Sequence, residues 1–421
     1  MVNSVAIEKT EKLLQELRAE DGTPSNKAAL IRRLEEVRTS LQEPPDIANF
    51  YIKKGLVLII INTCVELGVF DAVPLDAPAS AEEISAKVGV DASILSRFLR
   101  ALTVEGFFAI ASTASRSTFA PAQHVYTHTP ASLSLRGPPA HAWWRAALTL
   151  PMNRLWRAPD YLRSHTAAET RDPRRNGLTW AMGLEEEGLT FFEALERDEH
   201  AGFWKSSMER AEYGRGTFPW AALWREVLQE EDSQGRVFVV DVGGGRGRAL
   251  MEIIRECGGE NAEPFHGKMV LEDLEFVLEG EKPVRVEGVK NVVYDFFAEK
   301  AEQPVKNAHV YHLCRVLHDY YDDRARHILR QVVDAMNPAS RVVLCEYIMP
   351  EDTDLGDEIF PYLMDFLLFM SGGLERTEAQ WRQLLDSVGL EIVHIWRSNH
   401  NPIEADIEAQ LKGSNKPSLD T

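Results

Sequence analysis

The sequence predicts an α/β protein, with a doubly wound parallel sheet in its C-terminal half and a smaller, mostly helical domain ahead of it. Three observations carry this expectation. Residues 237–250 read Val-Phe-Val-Val-Asp-Val-Gly-Gly-Gly-Arg-Gly-Arg-Ala-Leu, a β-favouring run that ends at an acid, a glycine loop and a helix start. From Arg236 onward, apolar runs near 237–241, 268–272, 290–294, 308–313, 341–346 and 390–396 alternate with helical patterns. Between Asp46 and Thr129, three helical segments lead into two short strand-like runs.

Taken in order, residues 1–45 are charged and helix-prone, with Ile7, Leu13, Leu14 and Leu17, then Leu30, Ile31, Leu34, Val37 and Leu41, at roughly helical spacing. Such a stripe packs either on a partner subunit or on the chain's own body. Pro44-Pro45 breaks it. In the 46–129 domain a long helix is expected over Ala48 to Leu67, and its apolar stretch Gly55 to Ile61 reads as a buried helix too short to span a bilayer. Ser80 and Glu83 have capping-box spacing, and Asp91 is placed to cap Ala92 to Glu105, which Gly106 ends. Phe107 to Pro121 reads as two strands around a Ser/Thr/Arg turn. This is the winged-helix layout. Its third helix offers only Arg97 and Arg100 against Asp91 and Glu105, too little positive charge for a DNA reader.

Residues 130–235 are helical and aromatic. Met182, Phe192, Trp204 and Met208 are candidate walls of an apolar substrate pocket. The domain at 236–404 carries the Rossmann-like sheet, and 405–421 is expected to be a polar tail.

Composition narrows the function. A chain of 421 residues, 44% hydrophobic, buries a large core, and a net charge of −19 repels phosphate backbones and anionic lipid. Nucleic acid and a membrane surface are therefore not expected as partners. The four cysteines fit neither a disulfide framework nor a CxxC metal site, and the first ten residues contain no secretory signal. Both point to the cytoplasm.

The chemistry gathers at the carboxyl ends of the expected strands. The glycines at 243, 245 and 247 follow G-x-G-x-G, whereas a dinucleotide turn would need glycine at 248, occupied by Arg248; a nucleoside without a pyrophosphate fits better. Glu272-Asp273, thirty residues on from the loop, suits the two hydroxyls of a ribose, and Asp295-Phe296 suits an adenine. His318-Asp319 follows the strand Ala308 to Leu313, and an imidazole is the natural base for a hydroxyl proton near neutral pH. Glu346 and Glu375 are isolated acids able to orient it. No compact His/Asp/Glu set suggests a metal.

Residues from about 55 to 400 resemble the plant-type and fungal S-adenosylmethionine-dependent O-methyltransferases, the family of the caffeate and flavonoid enzymes. The resemblance lies in Val-Asp-Val-Gly-Gly-Gly-Arg-Gly (240–247), Leu-Glu-Asp-Leu (271–274), Tyr-Asp-Phe-Phe (294–297), Val-Leu-His-Asp-Tyr (316–320), Cys-Glu-Tyr-Ile-Met-Pro (345–350) and Gly-Gly-Leu-Glu-Arg-Thr-Glu (372–378). Glu66-Leu-Gly-Val-Phe70 and Ile94-Leu-Ser-Arg-Phe-Leu-Arg100 resemble its dimerisation domain. The resemblance implies S-adenosyl-L-methionine as cofactor, held around Asp241, Gly243, Gly245, Asp273, Asp295, Phe296 and Arg315. It makes His318 the general base, flanked by Glu346 and Glu375, with Asp319 beside the substrate, and it implies a homodimer. The expected acceptor is a hydroxyl of a small aromatic or polyketide-type secondary metabolite. Two positions depart from the pattern: Cys314 stands where many members have Lys or Arg, with Arg315 one place later, and Asp273 is followed by Leu-Glu rather than Leu-Pro. Two alternatives stand beside this reading: a member that binds the cofactor yet catalyses dehydration or pericyclic cyclisation, and a winged-helix DNA-binding regulator.

Overall fold

The computed structural model describes residues 4–19, 24–114, 123–147, 152–197, 217–229, 235–258, 265–280, 283–353, 359–398 and 403–414. The chain divides into two compact units. The first gathers the N-terminal helix with 33–154; the second holds 155–194 and the C-terminal half. The segment expected as one linker, 130–235, is therefore shared between them.

Helices α1 (Ser4–Arg18) and α2 (Pro24–Leu41), of which α2 is divided between the two units after Arg32, precede α3 (Pro44–Glu66) of the first unit. Pro44 and Pro45 sit in the first turn of α3, where the missing N–H costs nothing, so the pair opens this helix as well as breaking the preceding pattern. Ser80 and Glu83 form the expected capping box, and the Asp91 side chain accepts from Ser93 N–H at the start of Ala92–Val104. Leu95, Leu99 and Leu102 from that helix pack with Ile61, Cys64, Phe70 and Ile84. The wing strands β1 (Ala79–Ser80), β2 (Phe108–Ala114) and β3 (Gln123–His128) form a sheet in the order β1-β3-β2. The second wing strand is described from Gln123, and its Val125 and Tyr126 pair with both β1 and β2; residues 115–122 of the expected hairpin lie outside the described residues.

The buried-helix reading of 55–61 needs correction. The helix runs for 23 residues and is long and apolar enough, by length and composition, to cross a membrane, with only 11% of its qualifying stretch buried within the chain. Tyr51, Ile52, Leu56 and Ile59 are exposed along it. Its C-terminal end enters the core of this unit at Ile61, Cys64 and Val65, with Val57 and Ile60 partly buried against the same cluster.

The second unit is built on a sheet in the order β10-β11-β8-β7-β4-β5-β6. Strands β4 (Val239–Val242), β5 (Met269–Asp273), β6 (Val289–Val293), β7 (Val310–Cys314) and β8 (Arg341–Met349) are parallel, and β9 (Arg376–Thr377) pairs with β8 off the main path. The parallel strands fall within two or three residues of their expected positions. Apolar clusters cover both faces, as a doubly wound sheet requires.

One expectation fails here for the first part of 405–421: β11 (Glu404–Leu411) runs antiparallel between β8 and β10 (Leu390–Arg397) in the interior of the sheet, and residues 415–421 lie outside the described residues. The reason lies in its second face. Ala405, Ile407 and Ala409 join the core, while the intervening Asp406, Glu408 and Gln410 are also buried. Asp406 accepts from Thr217 Oγ1 and from Phe218 N–H at 2.9 Å; Glu408 pairs with Arg341 and accepts from Trp396 Nε1 at 3.1 Å. An alternating acid pattern that reads as solvated is here satisfied by buried partners.

Candidate active site

Strand β4 ends at the glycine loop. Gly243, Gly245 and Gly247 have φ of +70°, +57° and +74°, a region that side chains avoid. Gly244 is required for space instead, since a Cβ there would strike the Asp241 carboxylate and Leu271. Gly243 and Gly244 N–H donate to the Glu272 carbonyl at 2.8 and 3.1 Å, tying the loop to β5. A side chain at Gly243 would meet Val316 at 3.0 Å and Phe296 at 3.9 Å, so three cofactor-side segments converge on bare backbone.

The acids around this loop divide by role. Asp273 accepts from Gly245 N–H and from Leu274 N–H, each at 2.7 Å, and burial pushes its carboxyl up to about 6. Each oxygen keeps a further lone pair for a ligand hydroxyl. The Glu272 side chain is fully buried, accepts from Gln303 Nε2 at 2.8 Å and is pushed by burial up to about 8, so of that pair only Asp273 bonds the loop through its side chain. Asp295 is exposed and accepts from Phe297 N–H at 2.8 Å; the Phe296 ring stands edge-on to Tyr294, Phe297 and Tyr320.

Asp241, expected at the cofactor, is turned into the sheet. It has no exposure, and its Oδ1 pairs with His312 Nδ1 at 2.8 Å. Burial alone would lower the His312 pKa, but the Asp241 carboxylate raises it to about 9. Asp241 supports the loop from beneath, through Gly244, and makes its bond to a histidine that sequence reasoning missed.

Beyond β7, Arg315 adopts φ +56° and donates its N–H to the Cys345 carbonyl at 3.0 Å. Its guanidinium lies 3.2 Å over the Tyr347 ring, and Nη2 reaches Glu404 Oε1 at 3.5 Å while buried Nη1 has no hydrogen-bond partner. Cys314 and Cys345, distant in sequence, are register partners on β7 and β8 and remain free thiols.

The short 3-10 turn Leu317–Asp319 then presents His318. Its Nδ1 lies 3.2 Å from Glu375 Oε1 and 3.7 Å from Glu346 Oε2, and its Nε2 lies 3.7 Å from Asp319 Oδ1. The imidazole keeps 11% of its surface open, whereas both glutamate side chains are closed off. Three contacts fix the turn. Leu317 N–H donates to Glu346 Oε1 at 3.0 Å, Leu374 N–H donates to the His318 carbonyl at 2.8 Å, and Arg376 donates to the Leu317 and Tyr320 carbonyls while pairing with Asp322. Gly373 is needed because a Cβ would collide with the His318 carbonyl. Arg376 is a second residue that sequence reading missed; its place beside Glu375 in the 372–378 motif is the signal that was there.

Burial would lower the His318 pKa, but Glu346, Asp319 and Glu375 together raise it to about 9. Burial raises Asp319 to about 7 against the pull of His318, and burial also raises Glu346. One ligating atom each from His318, Glu346 and Glu375 lies within 4.8 Å of the others, so a compact ligand set does exist, contrary to the sequence expectation. The three come from separate segments, which is why spacing did not reveal it.

Of the pocket candidates, Met182 is half-buried at the end of the helix Gly177–Ala181, and Phe192, also half-buried, packs its ring 5.5 Å from Phe191. Trp204 and Met208 lie outside the described residues.

Comparison with known proteins decides the family. Residues 181–391 match the model of an O-methyltransferase domain, and residues 52–135 that of an O-methyltransferase dimerisation domain. The chain belongs to the O-methyltransferase family. It is 33% identical to the O-methyltransferase hmp5 of Hypomyces subiculosus over 377 residues, 88% of each chain. It is 28% identical to the O-methyltransferase kntB of Aspergillus niger, over 88% of this chain and 85% of that one. Among solved structures, OxaC in complex with SAH and oxaline superposes with a TM-score of 0.78 at 26% identity, covering 97% of this chain and 99% of that chain. LepI in complex with SAM superposes at 0.76 with 22% identity, a likeness of fold. The chain is an S-adenosyl-L-methionine-dependent O-methyltransferase, and its first unit contains the family's dimerisation domain.

Proposed function

We propose that this O-methyltransferase methylates a hydroxyl of a small aromatic or polyketide-type secondary metabolite, with His318 as the base. The observation that carries this reading is the orientation of the imidazole. Glu375 takes the Nδ1 edge at 3.2 Å, which leaves Nε2 to accept a hydroxyl proton, and the turn is locked by Glu346 and Arg376. A correctly placed base contributes on the order of 10²–10⁴-fold.

The residues around the loop fit the cofactor. Asp273 has spare lone pairs for ribose hydroxyls beside the Gly243 backbone, and the Phe296 ring with exposed Asp295 offers stacking and hydrogen bonding to an adenine. Arg315 has a buried Nη1 without a partner, suited to the cofactor's carboxylate. When bound there, S-adenosyl-L-methionine supplies a methyl group on a sulfonium already activated for displacement. The chain's own task is to align and deprotonate the acceptor. Asp319 sits on the Nε2 side of the base, where it borders the acceptor, and Met182 and Phe192 are apolar candidates for the pocket wall. The exposed apolar residues of α3, lying mostly within the matched dimerisation segment, suit burial against a second copy.

The test is incubation with methyl-labelled S-adenosylmethionine and a panel of phenols, polyketides and tetramic-acid or pyridone compounds. Label transfer that disappears in His318→Ala supports the reading. Tight cofactor binding, no transfer to any acceptor and an unlabelled rearranged product contradict it.

A further inference from the structure

We propose that His318, Glu346 and Glu375 form an inhibitory site for a divalent transition cation, Zn²⁺ in particular, set behind the base rather than in the acceptor's path. Ligands around a tetrahedral zinc at 2.0–2.2 Å stand about 3.3 Å from one another. Nδ1 of His318 is 3.2 Å from Glu375 Oε1 and 3.7 Å from Glu346 Oε2, and one atom from each of the three residues falls within 4.8 Å. The spacing therefore needs little adjustment.

A second observation points to a cation. Glu346 Oε2 and Glu375 Oε2 are buried oxygens without a hydrogen-bond partner, on side chains fully shielded from solvent. A buried carboxylate oxygen left unbonded is costly, and a metal ion is one of the few groups that satisfies two at once. Glu346 Oε2 belongs to the pair with Nδ1, so it faces the site, while its Oε1 is held by Leu317 N–H. An imidazole with two carboxylates selects Zn²⁺, Co²⁺ or Ni²⁺ over Mg²⁺ or Ca²⁺.

Binding has a defined consequence for the ring. Zinc takes the Nδ1 lone pair, and the single proton of the neutral ring, displaced from between Nδ1 and Glu375, moves by way of solvent to Nε2. The neutral imidazole then carries its proton on Nε2, the atom that has to accept one from the substrate. The ion converts a base into a donor without touching the acceptor or the cofactor. This consequence for catalysis rests on His318 being the base; zinc binding itself does not.

Equilibrium dialysis with ZnCl₂ and the visible spectrum with CoCl₂ on the full-length protein test binding, and label transfer with and without EDTA tests the consequence. The expected results are one ion per chain, a tetrahedral cobalt band, and label transfer lowered at least tenfold by zinc and restored by EDTA. Glu346→Gln and Glu375→Gln weaken zinc by more than the roughly 10–100-fold that loss of an outer-shell partner costs. Cys314→Ser and Cys345→Ser leave zinc affinity unchanged, which excludes the thiol pair as the ligand. Absence of binding, binding unaltered in both glutamate variants, or binding lost in a cysteine variant overturns the site. Stoichiometric binding through these residues with label transfer intact overturns the inhibition. A protein that transfers no label even without zinc contradicts the base assignment alone, because dialysis still reads the site.

Discussion

Two histidines of the second unit, His312 and His318, have the same chemistry on paper and different surroundings. Each faces a carboxylate through Nδ1, each is raised to about 9 by neighbouring acids, and they lie six residues apart at the end of β7. His312 sits within the strand, its Nδ1 paired with one acid at 2.8 Å beneath the glycine loop. His318 sits on a turn beyond the strand, with three acids around it and two glutamate oxygens left unbonded. The difference teaches that a perturbed histidine–carboxylate pair does not by itself mark a base. Asp241 Oδ2 is as unbonded as the two glutamate oxygens, so what sets His318 apart is its place beyond the strand end, the number of acids around it and a ring that keeps 11% of its surface open against 4% for His312.

The comparison breaks most easily at Asp241. Asp241→Ala leaves the His312 imidazole buried without its partner and opens a space under Gly244, so a loss of about 3–5 kcal/mol is expected in denaturant unfolding. A loss below 1 kcal/mol would show that the pair does not support the loop. On the other side, Glu375→Gln leaves the fold intact, and kcat is expected to fall about 10–100-fold with little change in cofactor affinity. An unchanged kcat would remove Glu375 from the orientation of the base.

The pH dependence sharpens the contrast. A base raised to about 9 is largely protonated at neutral pH, so kcat/KM for label transfer rises with pH until about 9. Glu346→Gln removes a charge that favours the imidazolium, and the inflection moves down toward 6.5. An inflection that stays in place would assign the shift elsewhere. His312 acts on stability instead. Its folded pKa is above the unfolded value of 6.5, so its contribution is fully present below about pH 6.5 and is lost as pH rises through about 9. The part of the unfolding free energy linked to His312 therefore declines over that window by about 3 kcal/mol at most, and His318, raised to the same value, adds a parallel decline that remains in His312→Gln.

The end of the sheet where His318, Glu346 and Glu375 come together was legible in the sequence because strand, acid and glycine loop are local patterns, and because each of the three closes or follows a recognisable motif. The sequence left Asp241–His312 hidden, since that pairing depends on β4 and β7 being neighbours in the sheet. It also misread β11, where Asp406 and Glu408 mimic a solvated face while Thr217, Phe218, Arg341 and Trp396 satisfy them from elsewhere in the fold. Long-range pairing of polar groups is the information that periodicity does not carry. The pocket is legible only in part: Met182 and Phe192 are half-buried, and Trp204 and Met208 fall outside the described residues.

The central claim is that His318, and not His312, removes the acceptor's proton. Single-turnover transfer from methyl-labelled S-adenosylmethionine to an acceptor identified by the panel, run on His318→Gln and His312→Gln with cofactor affinity measured in parallel, tests it directly. The account predicts a fall of about 10²–10⁴-fold for His318→Gln at unchanged cofactor affinity, and transfer within a few-fold of the parent for folded His312→Gln. Equal losses in both variants, or near-parent transfer by His318→Gln, would contradict it.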